Sequence, residues 1–214
     1  MRTIRFAALL TVALATCVSA QDRGAPPPAG QPPAQPGGRG GGGGRGRGAI
    51  ATMTLTSTGW IDGGQIPAKY TQANGPAGEI SPPLAWNGAP ENTAEFVLIV
   101  HDVDAPIAGG TDDVLHWMLW KIPPSTTALP EHVAAGPERP DKTRQISATG
   151  PYYRGPGALS SGPAHHYVFE LFALDQAIDV PAVGQSPPQT RAAVVAAMAG
   201  HVRGKGVLVG LFRR

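Results

Sequence analysis

Short runs of apolar or alternating apolar and polar residues recur between proline- and glycine-rich turns from about residue 50 onward. They lie at 53–58, 96–100, 116–122, 167–174 and 207–212, and each has strand length and contains β-branched or aromatic residues. Only 190–202 has apolar residues at helical spacing, with Thr190 as a candidate N-cap and Gly204 just beyond its end. This pattern predicts a mainly β domain, a sandwich or barrel with one late helix.

The N-terminal segment has the three-part form of an export signal. Arg2 and Arg5 precede an apolar run that ends in Val18-Ser19-Ala20, which predicts cleavage after Ala20 and a periplasmic or secreted mature protein. The run is shorter than the roughly twenty apolar residues that span a bilayer, and no later run approaches that length, so we expect no transmembrane segment in the mature protein. Residues 1–20 are therefore predicted to be a signal peptide.

Cys17 is the only cysteine of the chain and lies inside this signal, so the mature protein is predicted to lack thiols and disulfides. An alternative remains open. Leu14-Ala15-Thr16-Cys17 resembles a bacterial lipoprotein signal, in which Cys17 would carry a lipid anchor and attach the protein to a membrane.

Residues 21–48 are rich in proline, glycine and glutamine and contain almost nothing that a core could bury. Such a segment is predicted to be a disordered linker that precedes a folded domain over 49–214. Arg39, Arg45 and Arg47 lie among glycines, as in the Arg-Gly segments of RNA-binding proteins. Three arginines attract nucleic acid only weakly, and the net charge of the whole chain is only +2, so we expect no nucleic-acid partner.

Two polar clusters border the predicted strands. Asp102 and Asp104 lie in the segment from His101 to Pro106, next to apolar sequence where an unpartnered charge is unfavourable, and His116 follows after a loop over 105–114. The second cluster, Ala164-His165-His166-Tyr167, follows a loop over 142–163. Long loops in compact domains often carry function, so we expect both clusters to form one small pocket for an anion. Strand alternation predicts that His116 and Trp117 face opposite sides.

Several spaced motifs, taken in order, resemble the phosphatidylethanolamine-binding protein family, and the closing segment resembles its bacterial Raf-kinase-inhibitor-like (YbhB/YbcL) branch. The resemblance covers about residues 50–214. The motifs are Ser81-Pro82-Pro83-Leu84-Ala85-Trp86, Asp102-Val103-Asp104-Ala105-Pro106, His116-Trp117, Gly150-Pro151-Tyr152 through His165-His166-Tyr167, and Gly200-His201-Val202-Arg203-Gly204-Lys205-Gly206 to Arg213-Arg214.

This resemblance implies an antiparallel β-sandwich with a C-terminal helix and a small cavity at one end that accepts a phosphoryl-bearing or other small anionic ligand. It implies neither catalysis nor a metal or other cofactor. By position in the family's motifs, the predicted ligand-binding residues are Asp102, Pro106, His116, His165 and Tyr167, with Asp104 and His166 as further candidates.

The chain departs from the family's motifs at three places. Val103 stands where the family has a proline, which leaves the backbone less constrained. His166 stands where the family has an arginine, which removes a permanent charge and leaves open whether His165 or His166 faces inward. The segment 155–161 is looser than the family's Gly-Pro-x-Pro-Pro stretch.

We therefore hypothesise a non-catalytic exported binding protein for a phosphoryl group. One alternative is an interaction module that regulates a protein partner, such as an enzyme, outside the cytoplasm. A second alternative is a hydrolase, either with a metal held by Asp102, His116 and His165 or with a serine nucleophile at Ser160 or Ser161. The chain has no Gly-x-Ser-x-Gly elbow to support the serine enzyme.

Overall fold

The computed structural model describes residues 49–74 and 80–214. The predicted signal over 1–20, Cys17 and the predicted linker over 21–48 lie outside the described residues. The strands are β1 Ala51–Thr52, β2 Thr54–Thr56, β3 Gly64–Gln65, β4 Leu84–Asn87, β5 Glu95–Ile107, β6 Asp112–Ile122, β7 Ala128–Leu129, β8 Arg144–Ile146, β9 His165–Leu174 and β10 Val202–Phe212, with the helix α1 at Pro187–Met198 and short 3-10 turns at Ala68–Tyr70, Gln72–Asn74 and Ala108–Gly110.

The strands form a large and a small sheet, which confirms the predicted mainly β fold. The large sheet has the order β1-β10-β9-β5-β6-β8 with β3 also paired to β10, and the small sheet has the order β2-β4-β7. The pairing is antiparallel except where β1 and β3 run parallel to β10. These parallel pairs make the large sheet mixed, although most of its pairing is antiparallel, as expected. They arise because the chain leaves the large sheet after β1, forms β2 in the small sheet, and returns at β3.

The main core lies between the two sheets. Alternate side chains of β5, β6 and β9 point to one face of the large sheet and pack against the small sheet, as strand geometry requires. Trp86 of β4 contacts Phe96 of β5 edge-on, with ring centroids 5.6 Å apart. Further members of this cluster are Leu55, Leu98, Val100, Trp117, Leu119, Leu129, Tyr167, Phe169 and Leu171.

The opposite face of the large sheet is covered by α1, where Val194 and Met198 pack against Val97, Ile99, Met118 and Trp120. The predicted helix boundaries are wrong, because α1 begins at Pro187 and Thr190 is buried inside it rather than capping it. Prolines suit the first helical turn, where no N–H needs an intrahelical acceptor. The Gln189 side chain accepts hydrogen bonds from the Ser186 backbone N–H and hydroxyl at 3.1 and 2.8 Å, which makes Ser186 the N-cap.

Both long loops predicted from the sequence contain strand. β5 continues to Ile107 and β6 starts at Asp112, so the segment 105–114 is mostly a hairpin whose tip is Ala108–Gly110. Within 142–163 the chain forms β8, which pairs with the middle of β6. The polar residues of the first cluster therefore lie on a strand, where their side chains have defined directions. Within 49–74 and 80–214, no helix has the length and apolar character needed to cross a bilayer.

Candidate functional site

Two irregularities in the pairing of β5 with β6 shape the site. Val100 pairs with Trp117 and His101 with Leu115, which makes His116 the extra residue of a β-bulge. The His116 ring meets the Tyr167 ring edge-on at 5.0 Å, and Tyr167 belongs to the same buried layer as Trp117. The prediction that His116 and Trp117 face opposite sides is therefore wrong, because the bulge interrupts the alternation.

The second irregularity lies at the start of the acidic motif. Asp102 pairs with Val114, whereas Pro106 pairs with Asp113, so three residues of β5 protrude from the ladder between them. Asp102 itself remains in register opposite Tyr167 of β9. The Asp102 carboxylate thereby stays on the inner face of the sheet while the chain beyond it is displaced toward solvent.

The Asp102 carboxylate is buried, with 3% of the residue exposed, and it is fully partnered. Its oxygens lie 2.9 and 3.1 Å from Nδ1 of His165, and one of them accepts the Asp104 backbone N–H at 3.1 Å. A carboxylate can only accept when ionised, so the His165 proton sits on Nδ1. Asp102 therefore fixes the orientation of the His165 ring and leaves Nε2 available.

His116 is oriented by the backbone. Its Nδ1 lies 2.7 Å from the carbonyl oxygen of Arg154, which can only accept, so Nδ1 carries the proton. Burial lowers the pKa of His116 below its usual range, so the ring is neutral at pH 7. In that state Nε2 has a free lone pair and can take up a proton.

Tyr167 supports the wall of the site. Its hydroxyl oxygen accepts the backbone N–H groups of Gly157 and Ala158 at 3.2 and 3.1 Å, which ties that segment to β9. Burial and the neighbouring Asp102 carboxylate raise the pKa of Tyr167, so the phenol stays protonated. The centroid of its ring lies 5.0 Å from that of His116 and 6.5 Å from that of His165.

These groups surround a cavity of about 320 Å³, which we call the imidazole cavity. Three of the five predicted ligand-binding residues, Asp102, His116 and His165, line it together, and Tyr167 lies behind them. Pro106 is exposed and lies outside the lining, where Ala105 stands instead. The lining residues are Gln72, Asp102, Ala105, Val114, His116, Arg154, Gly157, Ala158, Leu159, Ser161, Gly162 and His165.

The two further candidates, Asp104 and His166, pair with each other away from the cavity. Asp104 accepts the His166 backbone N–H at 2.6 Å and lies 2.8 Å from His166 Nδ1. The backbone hydrogen bond lowers the pKa of Asp104, and both side chains are exposed. Of the two adjacent histidines, the structure thus places His165 at the cavity and His166 on the outside.

Arg154 is the cavity residue that the sequence analysis missed. Its backbone is held by His116 through two hydrogen bonds, and the residue lines the cavity. In the described part of the chain, no carboxylate forms an ion pair with its guanidinium. The available signal was its position directly before Gly155-Pro156, where the family's Gly-Pro-x-Pro-Pro stretch begins.

No three His, Cys, Asp or Glu side chains among residues 49–74 and 80–214 are arranged as ligands for a metal ion. Asp102, His116 and His165 line one cavity, but the carboxylate is directed at Nδ1 of His165 and at a backbone amide. The arrangement is one of hydrogen-bond donors and acceptors held by fixed partners.

Comparison with known proteins identifies the family. A family model described as phosphatidylethanolamine-binding protein matches residues 56–213. A UPF0098 protein of Methanothermobacter thermautotrophicus is 38% identical over 162 residues, which are 75% of this chain and 98% of that protein. LppC of Mycobacterium tuberculosis, named provisionally as a lipoprotein, is 31% identical over 160 residues, covering 74% and 71% of the two chains. The crystal structure of Escherichia coli YbcL superposes with a TM-score of 0.60 at 25% identity and covers 76% of this chain and 98% of YbcL. The chain therefore belongs to the phosphatidylethanolamine-binding protein family, in its bacterial YbhB/YbcL branch, as its motifs predicted.

Proposed function

We propose that this protein is an exported, non-catalytic binding protein whose imidazole cavity takes a phosphoryl group or a similar small anion. One observation carries the proposal. His116 and His165 line a single cavity, and each ring is held by a fixed acceptor at its Nδ1. The cavity has the size of a small-ligand site and combines apolar walls with a few directed polar groups.

The charges around the cavity favour an anion. Arg154 brings a permanent positive charge to the wall, and guanidinium groups bind phosphoryl oxygens through charge-assisted hydrogen bonds. The negative charge of Asp102 is offset by its contacts with His165 and the Asp104 backbone N–H. The carboxylate therefore acts through the His165 ring, which it orients toward a ligand.

The geometry favours recognition over hydrolysis. Ser161 lines the cavity, as a serine nucleophile would have to. Among the described residues, however, no serine hydroxyl is hydrogen-bonded to His116 or His165, and Nδ1 of each histidine is directed at another acceptor. A serine hydrolase needs a nucleophile paired with its base, so binding is the simpler function for this arrangement.

Export is supported by two independent observations. The first twenty residues have the charge, apolar run and small-residue end of a signal peptide. LppC, which is 31% identical to this chain, carries a lipoprotein name, and lipoproteins are exported proteins. Cleavage after Ala20 and lipidation at Cys17 would both place the folded domain outside the cytoplasm.

The adjacent histidines of β9 provide a matched test of the cavity. We expect His165→Ala to weaken the binding of inorganic phosphate at least about tenfold, or about 1.4 kcal/mol, because it removes one oriented imidazole from the cavity wall. His166→Ala should leave the affinity within about twofold, since that ring pairs with Asp104 outside the cavity. Isothermal titration calorimetry and NMR titration measure the phosphate affinities of both variants. Equal losses in the two variants, or no binding by the wild type at millimolar phosphate, would contradict the proposal.

His116 should make anion binding depend on pH. Its neutral ring presents a lone pair at Nε2, so a bound dianion would stabilise a proton there and binding should be accompanied by proton uptake. Affinity is then expected to rise as the pH falls from 8 to 6. Sulfate is the suitable probe, because its own charge is constant in this range.

Proton uptake is measured by calorimetry in buffers of different ionisation enthalpy. The groups that face His116 are Asp102, Arg154, His165 and Tyr167. We expect uptake of a fraction of a proton in the wild type and in His166→Ala, and a loss of most of this uptake in His116→Gln. Undiminished uptake in His116→Gln would assign the proton to another group, such as His165.

A further inference from the structure

A second cavity of about 240 Å³ adjoins the imidazole cavity and shares two wall residues, Val114 and Arg154, with it. We call it the α1 groove, because the first turn of α1 forms one of its sides. We propose that this groove holds the apolar substituent of an amphipathic phosphomonoester whose phosphoryl group occupies the imidazole cavity. The proposal rests on the proposed function and names the class of ligand.

The walls of the α1 groove are mostly apolar. Pro187 and Pro188 contribute rings without a backbone N–H donor, and the Ile107 side chain is 42% exposed there although it is a large aliphatic group. An apolar ligand group in the groove would remove such surface from water, which favours binding. The apolar lining consists of Ile107, Val114, Leu115, Ala148, Pro187 and Pro188.

Apart from Arg154, the charged residues of the groove form ion pairs with one another. Arg191 of α1 contacts Asp113 at 2.6 Å and Asp112 at 3.1 Å. The other oxygen of Asp113 accepts a hydrogen bond from His101. Because these carboxylates already have cationic partners, we do not expect them to bind a charged ligand group in the groove. Its chemistry therefore differs from that of the imidazole cavity beside it.

Arg154 stands at the boundary between the two compartments. Its backbone N–H donates to the His116 carbonyl at 2.9 Å and its own carbonyl accepts from the His116 ring, so its position is fixed. Arg154 lines both cavities, and its guanidinium has no ion-pair partner among the described residues. A phosphoryl group bound to this guanidinium lies at the boundary, so its ester oxygen can direct a substituent into the groove.

The geometry thus selects phosphomonoesters of short alkyl or aryl alcohols over inorganic phosphate. Hexyl phosphate and methyl phosphate are suitable probes, because they share the phosphoryl group and differ only in the length of the apolar substituent. With each buried methylene group adding to the affinity, we expect hexyl phosphate to bind at least about tenfold more tightly than methyl phosphate.

A substitution that fills the α1 groove with a larger side chain tests the proposed binding of the apolar substituent. Ala148 is exposed and lines the groove, so Ala148→Leu should reduce the advantage of hexyl over methyl phosphate to less than about threefold and leave methyl phosphate binding unchanged. Ala192→Leu is the matched control, since Ala192 is an exposed residue of α1 outside the groove. In the wild type, NMR shifts of the Ile107 and Leu115 methyl groups should change with hexyl phosphate and not with methyl phosphate.

The outcomes separate this inference from the proposed function. If methyl and hexyl phosphate bind the wild type equally, or if Ala148→Leu preserves the hexyl advantage, the assignment of the groove is wrong while the phosphoryl site stands. If neither inorganic phosphate nor methyl phosphate binds, the proposed function itself is wrong.

Discussion

Replacement of Gly155 by alanine is expected to lower the free energy of unfolding by about 2 to 3 kcal/mol. A Cβ at this position would lie 2.9 Å from both the Thr71 Cα and the Tyr70 carbonyl oxygen. These are backbone atoms, and they cannot move away easily. The Gln72 backbone N–H donates to the Pro156 carbonyl at 2.9 Å, and the Tyr153 hydroxyl donates to the Tyr70 carbonyl at 3.0 Å. Urea denaturation followed by tryptophan fluorescence measures the change.

Gly162 provides the control for this substitution. It lines the same cavity, but a Cβ there would meet no atom within 4 Å, so Gly162→Ala should change the free energy of unfolding by less than about 1 kcal/mol. Gly155→Ala should also weaken phosphate binding, because the strained segment carries Arg154 and Gly157 of the cavity wall. If the two variants had the same free energy of unfolding, the backbone of Tyr70 and Thr71 would have moved away from the new Cβ at position 155 without loss of stability.

Replacement of His101 by alanine is expected to lower the free energy of unfolding by about 2 kcal/mol at pH 6, with a smaller effect at pH 3 and at pH 9. The ring is largely buried, its Nδ1 contacts Asp113, and its Nε2 lies 3.3 Å from Glu170. Lys205 and Arg191 flank these carboxylates. The variant leaves two carboxylates without the cation between them.

The pH dependence follows from the pKa shifts of the three groups. Burial opposes the charged ring, but hydrogen bonds to Glu170 and Asp113 outweigh it and raise the pKa of His101. The hydrogen bond from His101 lowers the pKa of Glu170 to about 2, and the pKa of Asp113 is also lowered. The histidine's contribution is therefore complete below about pH 6.5 and is lost as the pH rises through its raised pKa. The carboxylates' contribution is complete above about pH 4.5 and is lost as the pH falls toward 2.

Unfolding of wild type and variant in urea at pH 3, 6 and 9 measures this dependence. His166→Ala is the control, since its ring forms an exposed pair with Asp104 and should contribute less than about 1 kcal/mol. A difference between wild type and His101→Ala that is the same at all three pH values would show that His101 acts through packing rather than charge.

Strand positions and fold class followed from the sequence because the runs of strand length are apolar or alternate in polarity and are separated by proline- and glycine-rich turns. The run at 96–100 predicted the centre of β5, yet β5 extends to Ile107 because the displaced residues after Asp102 let a polar segment rejoin the ladder. The start of α1 was misplaced because Thr190 was taken as the N-cap, whereas Pro187 and Pro188 already form the first turn of the helix. Local pattern indicates which element forms more reliably than where it begins.

The sequence motifs predicted which residues share the candidate site, but not how these residues pair with one another. Asp102, His116 and His165 were expected in one pocket, and the structure brings them to one cavity. The pairings of Asp102 with His165 and of Asp104 with His166 depend on the register of β5 against β9, which no single motif contains. Arg154 was missed because its place at the cavity depends on backbone pairing with His116 across thirty-eight positions of the chain.

The imidazole cavity depends on the β-bulge at His116, whereas the two-sheet core does not. Regular alternation along β6 would send this ring to the face that α1 covers, and a single additional residue sends it to the cavity instead. Deleting one residue of β6 before Trp117 would therefore restore an ordinary ladder and remove one wall of the site, while the two-sheet core remained. We therefore expect the deletion of one codon at this point to abolish ligand recognition by this protein while its two-sheet fold is kept.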